Sequence, residues 1–439
     1  MTALPPGPRR QLGLLLGYLR DPLTCMLPLV KAYGDTFTIP GPPPMVCTGD
    51  PAGIKAIYTA DPEILTPQNT DLGVFLGQTS MILLGGPQHR RLRKLMMPPF
   101  HGARMRAYGE IILELAGSHA AKWAAGQTVS IHQVAQHISL DVILQGVFGV
   151  RDPARMARVA ALLSALIDGV SPLIAMFPAL RREFGGIGPF AAFLRRQRAL
   201  HAELDALIAE ARGEAPRDDI LSLLVHARGE DGSALTDEEL RDQLILLVVA
   251  GHETTGIAVS WALHALHLPE NAAVLERLRA ELDALGPAPE PATIDKAPYL
   301  EAVCNETLRR YPGAPAPAPR RLLAPMELLG YTLPEGVAVA AAIGVVHFRE
   351  ELYPEPMAFK PERFLGRKLS PFEFIPFGGG ARRCLGAALA AYEMRLVVAS
   401  LIRGFRLHAA RKGPDPGKAR AANVGPRHGV KLTIDERRA

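Results

Sequence analysis

The sequence predicts a mainly α-helical fold with small β-sheets. Apolar residues recur at helical spacing in seven long segments between residues 87 and 311. Segments typical of β-strands are few and short. The chain has 439 residues and 48% hydrophobic content, so it can bury a large core.

The predicted elements follow one another in a simple order. Residues 45–48 form a short β-like segment, and Asp50 with Pro51 then resembles an N-cap followed by proline at the first helical position. Helices are predicted at residues 87–97, 103–124, 134–148, 190–210, 236–267, 271–285 and 299–311. Strand patterns return at 337–343 and near 430–434.

The composition excludes several classes of protein. The net charge of +5 is small for this length, and the basic residues are spread out without a nucleic-acid-binding motif. The four cysteines lack the spacing of a disulfide framework or a zinc module, which favours a reducing cytoplasm. The apolar run 12–19 is too short to span a bilayer, and no signal-peptide cleavage site follows it. We therefore expect a soluble, cytoplasmic protein without a membrane anchor that does not bind nucleic acid.

A glycine-rich loop at residues 377–386 places one cysteine, Cys384, at the start of an apolar helical run. The glycines allow the backbone to adopt positive φ and to approach a flat ligand closely. A sulfur at a helix N-terminus, near arginines, favours the thiolate, which can be an axial ligand to haem iron. The alternative is a buried, inert cysteine in a turn; the surrounding residues argue against it.

The loop reads Phe-x-x-Gly-x-Arg-x-Cys-x-Gly, and it resembles the haem-binding loop of the cytochrome P-450 family. The resemblance implies that Phe377 packs over the thiolate of Cys384 and that Arg382 pairs with a haem propionate, since a guanidinium matches a carboxylate. The predicted haem-binding residues on this loop and the following helix are Phe377, Gly378, Arg382, Cys384, Gly386 and Ala390.

The resemblance also implies the overall architecture. It predicts the family's triangular-prism arrangement of about twelve helices around a buried, thiolate-ligated haem b. A single haem domain would span residues 1–439, with a β-rich part at roughly 30–70 and 315–345 and a helical core at roughly 85–312 and 346–439. No fused reductase domain is expected. The lack of an N-terminal anchor resembles the soluble bacterial type of the family.

Glu306 and Arg309 lie three residues apart on one predicted helical face. Taken alone, this is a surface ion pair of little energetic value. It resembles the family's Glu-x-x-Arg helix, which pairs with an arginine in a later Pro-Glu-Arg-Phe segment, here carrying Arg363. The resemblance implies a structural network of these three side chains that supports the haem-binding side.

The predicted helix 236–267 breaks local rules at one place. A glycine, an acid and two threonines stand together at Gly251, Glu253, Thr254 and Thr255, where each is a poor choice for an apolar helix. The segment resembles the family's oxygen-binding groove. That resemblance implies that Ala250 and Gly251 form the groove, that Glu253 and Thr254 relay protons, and that the helix is locally distorted.

A zinc site is excluded at the same place. His252 and Glu253 are half of a zinc-protease motif, but the second histidine would have to stand at residue 256, which is Gly256. His252 is therefore predicted to be structural.

Two further places resemble the family's propionate-binding residues. His89 and Arg93 match a His-x-x-x-Arg pattern, although a basic helix taken alone is more often a solvated face or a docking surface. Arg320 follows a proline-rich stretch and is predicted to reach the other propionate, with Arg321 as the alternative one register away.

Apolar residues near these motifs are candidates for the walls of a substrate pocket, although single apolar residues are usually just core. They are Val74, Phe75, Leu76, Leu246, Val249, Ala314 and Pro315, with Ala316 beside them. By analogy with the family, residues 172–177 and helix 190–210 would form a lid whose apolar composition favours a lipophilic substrate such as a terpenoid, fatty acid, steroid or polyketide-like compound.

The resemblance implies a monooxygenase that inserts one oxygen atom of O2 into that substrate, by hydroxylation or epoxidation. Electrons would come from NAD(P)H through a separate ferredoxin and ferredoxin reductase, docking near Arg90, Arg91, Lys94 and Arg383. A monomer is expected. The alternatives are a haem-thiolate peroxygenase or a non-oxidative isomerase or dehydratase, which the Glu-Thr pair argues against, and a haem sensor, for which no signalling segment is visible.

Overall fold

A computed structural model describes residues 4–68, 72–100, 104–170, 174, 178–183, 185–315, 319–420 and 423–438. The chain forms two compact units. The first comprises Met1–Asn69, Ile112–Ile138 and Glu253–Ala439, and the second comprises Thr70–Ile111 and Ser139–His252. The single haem domain predicted from the sequence stays a prediction.

Helices dominate both units. In the described ranges they are α1 Leu12–Arg20, α2 Leu27–Tyr33, α3 Pro51–Thr59, α4 Gly73–Leu76, α5 Gly86–Met96, α6 Arg104–Ala120, α7 Ile131–Val142, α8 Pro153–Asp168, α9 Pro189–Gly213, α10 Ile220–His226, α11 Asp237–Leu266, α12 Ala272–Ala284, α13 Pro291–Asp295, α14 Pro298–Arg310, α15 Ile343–Val346 and α16 Ala387–Gly404. The mainly helical class predicted from the sequence is confirmed.

The strands are short. They are β1 Thr36–Ile39, β2 Met45–Thr48, β3 Leu65–Pro67, β4 Thr128–Ser130, β5 Arg320–Leu322, β6 Met326–Leu328, β7 Tyr331–Leu333, β8 Ala338–Ala341, β9 Phe405–Ala409, β10 Gly417–Arg420, β11 Asn423–Pro426 and β12 Lys431–Arg437. All of these strands, which are those of the described ranges, lie in the first unit. The predicted strands at 45–48, 337–343 and near 430–434 correspond to β2, β8 and β12.

The largest sheet has the strand order β1-β2-β8-β5-β3, with β2 and β8 parallel and the other neighbours antiparallel. A second sheet places β12 between β4 and β9, and β10-β11 and β6-β7 are two-stranded hairpins. Helix α3 packs on the large sheet, where Val46, Ile54, Val339 and Ile375 are almost fully buried in one apolar cluster. Strand β5 of this sheet carries Arg320, and α3 carries Tyr58; both residues belong to the candidate site.

Local capping explains where α3 begins. The Asp50 side chain accepts hydrogen bonds from the backbone N–H groups of Ala52 at 2.8 Å and Gly53 at 3.1 Å, and Pro51 occupies the first turn. These bonds satisfy two of the donors that a helix N-terminus leaves unpaired. The N-cap and proline predicted from the sequence are therefore present.

One predicted helix is divided in the structure. The segment 134–148 was expected as one helix, whereas α7 begins at Ile131, ends at Val142 and continues as the π-helical turn Ile143–Val147. The start is earlier because the N–H groups of Ile131 and His132 pair with the carbonyls of Val430 and Gly429, each at 3.1 Å, directly after β4. This pairing is tertiary, and periodicity within the segment does not predict it.

Helix α11 is 30 residues long and α-helical throughout, including the segment where the family resemblance implied a local distortion. Within the described part of the chain, it is the one helix long and apolar enough to cross a membrane, and 56% of its most apolar window is buried. Core helices of soluble proteins meet the same test. The composition of α11 is therefore weak evidence for a membrane span.

Candidate active site

The cysteine loop of the first unit is held by its own backbone and by helix α3. The N–H of Cys384 donates to the carbonyl of Phe377 at 2.9 Å, which closes the loop. Gly378 and Gly380 adopt φ values of +65° and +61°, a region that favours glycine. A Cβ on Gly380 would lie 2.2 Å from the backbone oxygen of Tyr58. The glycines are therefore required both for the turn and for close packing on α3.

Exposure separates Cys384 from the other three cysteines. Cys47 and Cys304 are buried and Cys25 is half-buried, whereas Cys384 is exposed. Burial raises the pKa of the Cys47 and Cys304 thiols to about 12 and that of Cys25 to about 11. A raised pKa keeps such thiols protonated at neutral pH unless a cation or metal stabilises the thiolate. Cys384 is consequently the candidate for a metal-bound thiolate, and the alternative of a buried, inert cysteine does not fit it.

The residues that flank Cys384 are partly accessible, so they could contact a flat ligand. Phe377, Gly378, Arg382 and Gly386 are each half-buried, and Gly386 is the N-cap of α16. The N–H of Ala390, in the first turn of that helix, donates to the Gly386 carbonyl at 2.8 Å. The structure thus brings the predicted loop and helix residues together around the start of α16.

Glu306, Arg309 and Arg363 form a buried ionic network in the first unit. The Glu306 and Arg309 side chains are both 0% exposed and make two hydrogen bonds, at 2.7 and 2.8 Å. Arg363 Nε approaches Glu306 Oε1 at 3.3 Å. The same oxygen accepts the N–H of Lys360 at 2.8 Å, and Arg309 donates to the carbonyl of His347 at 2.8 Å. The pair is therefore not the weak surface contact that its spacing alone suggests.

The structure distinguishes Arg320 from Arg321. Neighbouring residues of a strand point to opposite faces, and here Arg320 is half-buried whereas Arg321 is exposed. The Arg320 guanidinium lies 5.5 Å from the centre of the Tyr58 ring, which packs against the glycines of the cysteine loop. Arg320 is thus the arginine that faces the loop.

The environment of Arg320 fits an anionic partner. Desolvation lowers the pKa of its guanidinium, and among the described residues no carboxylate pairs with it. A desolvated cation without a counter-ion is unfavourable unless another anion compensates it. A carboxylate of a bound cofactor would supply that compensation.

Helix α11 presents an accessible stripe of mostly small residues. Ala250 is exposed, and Leu247, Gly251, Thr254 and Ala258 are half-buried. These positions are three or four residues apart, so they share one helical face, while most of the helix beyond the stripe is buried. A large planar ligand could approach a surface of this kind closely.

Gly251 has a second, internal reason to be glycine. A Cβ at this position would lie 3.0 Å from Cδ1 of Ile143, which belongs to the π-helical turn of the same unit. Packing therefore restricts this position independently of any ligand.

Glu253 and His252 stand next to each other but have different partners. The Glu253 carboxylate, half-buried, accepts a hydrogen bond from the Asn423 side chain at 3.2 Å. The imidazole Nδ1 of His252 lies 3.0 Å from the carbonyl of Val248, one turn earlier. That local bond is in keeping with the structural role predicted for His252.

In the second unit, His89 and Arg93 lie one turn apart on α5. His89 is buried and Arg93 is half-buried, whereas Arg90 between them is exposed. The two side chains predicted to bind propionates therefore share the inward face of the helix.

Two of the basic residues suggested for partner docking are already paired. Arg91 contacts Glu239 at 2.7 Å and donates to the carbonyl of Ala234 at 2.8 Å, and Lys94 pairs with Glu230. These acids lower the local positive charge, so Arg91 and Lys94 contribute less to a basic surface than the sequence suggests. Arg383, in the cysteine loop, is exposed.

The residues predicted to line a substrate pocket differ in exposure. Val74, Leu76, Val249 and Ala314 are half-buried, whereas Phe75, Leu246 and Pro315 are buried. Residue 316 and the predicted lid segment 172–177, apart from residue 174, lie outside the described residues.

The burial of Phe75 is explained by packing within the second unit. Its ring packs edge-on against Phe193 of α9, with ring centres 5.2 Å apart. On the same two elements, the Gln197 side chain donates to the carbonyl of Val74 at 3.0 Å. Helix α4 is thus joined to α9, which contains the whole of the other predicted lid segment, residues 190–210.

Two residues of this region were missed by the sequence analysis. Tyr58 supports the cysteine loop from α3, and Asn423 contacts Glu253 from β11. Neither belongs to a motif, and each is separated by more than 150 residues from its partner. Sequence patterns carry no indication of such contacts.

Comparisons with known proteins agree with this geometry. The family model for cytochrome P450 matches residues 4–429. Cytochrome P450 135B1 of Mycobacterium tuberculosis is 36% identical over 442 residues, covering 98% of this chain and 91% of the relative. Cytochrome P450 135A1 of the same organism is 34% identical over 450 residues, covering 99% and 95%.

Solved structures show the same fold. A cyanobacterial CYP120A1 with bound retinoic acid has a TM-score of 0.85 at 24% identity, with 100% of both chains covered. The haem domain of cytochrome P450DA has a TM-score of 0.85 at 22% identity, covering 100% of this chain and 98% of that one.

Fold and relatives together define an oxidoreductase of the haem-thiolate class. The chain belongs to the cytochrome P450 family, whose members are haem monooxygenases. The family, the fold class and the enzyme class predicted from the sequence are confirmed. The individual site residues stay predictions.

Proposed function

We propose that this chain inserts one oxygen atom of O2 into a lipophilic small molecule, with Cys384 as the thiolate ligand of its haem. The observation that carries the proposal is that Cys384 is the exposed cysteine among four and ends a glycine loop packed against α3. Family membership supports the haem monooxygenase class, and the substrate and electron donors belong to the proposal.

The residues present fit a haem b group. Cys384 would ligate the iron, and Arg382, Arg320, His89 and Arg93 would hold the propionates. Arg320 supports this assignment because its cation is desolvated and no carboxylate within the described ranges pairs with it. Bound haem supplies the one-electron and O2 chemistry that protein side chains lack.

The chain's own residues would then control the delivery of protons. Glu253 is an acid beside the accessible stripe of α11, and its carboxylate can take up a proton and release it. Thr254 Oγ1, on the stripe itself, can pass the proton onward through its hydroxyl. Ala250 and Gly251 keep this face open because their side chains are small.

A lipophilic substrate is supported by the apolar character of the candidate walls, Val74, Leu76, Val249 and Ala314. An apolar pocket would also exclude water from the reaction. Electrons would come from NAD(P)H through a ferredoxin and its reductase, as the resemblance to the family implies. In the first unit, the exposed Arg383 of the cysteine loop offers positive charge for docking, whereas Arg91 and Lys94 of the second unit are paired with acids.

Replacing Thr254 by alanine is expected to divert electrons from product to hydrogen peroxide while haem binding is retained. The side chain is small and half-buried, so its loss removes a proton-carrying hydroxyl without opening the core. The measurement is the hydrogen peroxide released per O2 consumed. Thr255→Val is the matched control, because Thr255 is buried on another face of α11. An unchanged ratio in Thr254→Ala would remove Thr254 from the proton relay.

Replacing Arg320 by methionine is expected to weaken haem retention by about tenfold or more, because a charge-assisted bond to a carboxylate is lost. The cofactor-free fold should not lose stability, since the variant also removes a desolvated cation. The measurement is the rate of haem transfer to apomyoglobin, together with thermal unfolding of the haem-free protein. Arg321→Met is the control and should behave as wild type. Equal haem loss from both variants would contradict the assignment.

The function itself is tested with isotopically labelled O2. Lipophilic candidates that shift the Soret band of the ferric protein are incubated with NADPH, ferredoxin and ferredoxin reductase. One labelled oxygen atom in the product is expected. Equal turnover driven by hydrogen peroxide alone would instead favour a peroxygenase, and a product without labelled oxygen would favour an isomerase or dehydratase.

A further inference from the structure

The β10-β11 hairpin of the first unit lies along one face of α11. Glu253, Ile257 and Trp261 are spaced by four residues, so they stack on the same side of the helix. Asn423 contacts the first of them through a hydrogen bond of 3.2 Å. A Cβ on Gly425 would lie 3.2 Å from Ile257, and Trp261 Nε1 donates to the carbonyl of Val424 at 3.1 Å. The hairpin therefore follows the helix from the predicted proton relay into the core.

The backbone next to Asn423 is held by hydrogen bonds that do not involve the Asn423 side chain. The Val424 carbonyl accepts a hydrogen bond from the indole N–H of Trp261, whose side chain is 0% exposed. The Val424 N–H donates to the carbonyl of Gly313 at 2.7 Å. Asn423 itself pairs with Arg420 in the register of the hairpin. The Asn423 amide thus belongs to a strand whose backbone is held by these bonds, so removing the amide should leave the strand in place.

The chemistry of the contact is directional. A carboxylate only accepts hydrogen bonds, so the carboxamide must offer its NH2 group to Glu253. In the part of the chain that the structure describes, Asn423 is the one side chain that donates to this carboxylate, and it binds Oε2. Oε1 is left to exchange protons.

We propose that Asn423 is a positioning residue that fixes the Glu253 carboxylate for proton transfer. It acts through Glu253 and does not itself carry the proton. This inference rests on the proposed function, because it assumes that Glu253 is part of the relay.

The test is a double-mutant cycle on the holoenzyme with Asn423→Ala, Glu253→Ala and the combined variant. Electrons are supplied by NADPH through a plant ferredoxin and its reductase, without any organic substrate. Release of hydrogen peroxide takes two electrons and two protons per O2, whereas reduction to water takes four of each. The fraction of O2 released as peroxide and the solvent isotope effect on O2 consumption therefore report proton delivery.

Asn423→Ala is expected to raise the peroxide fraction by about threefold to tenfold, and Glu253→Ala by at least as much. The combined variant should match Glu253→Ala alone, since Asn423 acts only through the acid. Asn423→Gln, which keeps the amide, should restore part of the wild-type ratio. Lys418→Ala is the control, because Lys418 is exposed on the same hairpin.

A merely structural role for Asn423 would give a different pattern. It would lower the thermal unfolding temperature, leave the isotope effect unchanged and add to the effect of Glu253→Ala. That result, or a wild-type peroxide fraction in Asn423→Ala beside an elevated one in Glu253→Ala, overturns the inference alone. A wild-type fraction in Glu253→Ala overturns the role of Glu253 in the relay, and the inference with it.

Discussion

Replacing Glu306 by alanine is expected to cost about 3–5 kcal/mol of unfolding free energy, because one partner of a buried ion pair is removed. Arg309 is fully buried and would keep its charge without a carboxylate. Arg363 and the N–H of Lys360 would lose the same acceptor. We expect a protein that unfolds at lower urea concentration and retains little haem.

The control for this variant is Glu355→Ala. Glu355 lies near the same network, and its side chain is 67% exposed beside that of Lys360. An exposed pair contributes little to stability, so this variant should stay close to wild type. Urea unfolding of both proteins compares the two sites. A loss of under about 1 kcal/mol in Glu306→Ala would contradict the buried network.

Replacing Gly380 by alanine is the second change with a large expected effect. Its φ of +61° costs a residue with a Cβ about 1–2 kcal/mol. The new Cβ would also lie 2.2 Å from the backbone oxygen of Tyr58, and overpacking adds about 1–3 kcal/mol. Because α3 is anchored on the sheet by the buried Ile54 and Ile57, the cysteine loop would have to move, and with it Cys384. Lower stability and a disturbed haem spectrum are expected together.

Gly404→Ala is the matched control, since a Cβ at the end of α16 meets no atom within 4 Å. Thermal unfolding and the Soret spectrum distinguish the two variants. A wild-type spectrum with normal stability in Gly380→Ala would show that the loop does not need this close contact with α3.

Local chemistry explains which parts of the fold the sequence predicts well. The N-cap at Asp50 and the long apolar period of α11 depend on neighbouring residues, and both are found in the structure. The spacing of the cysteine loop likewise identifies the family from a few adjacent positions. Helix α8 was not predicted, although Asp152 and Pro153 form the same N-cap and proline start as in α3 and indicate a helix there.

Other features depend on contacts between distant segments. The choice between Arg320 and Arg321 requires the register of β5 against β8, which alone decides which side chain faces Tyr58. Pairing of Arg91 with Glu239 joins residues 148 positions apart. The Asn423 contact to Glu253 spans 170 positions. No local period or motif encodes such pairs.

The bond between the Cys384 sulfur and the haem iron is tested most directly by the absorption spectrum of the reduced carbonyl complex. For the wild-type protein we predict a Soret band at the long wavelength typical of thiolate ligation, and its loss in Cys384→Ser. A wild-type band at the shorter wavelength of imidazole ligation, or an unchanged band in Cys384→Ser, would contradict the account.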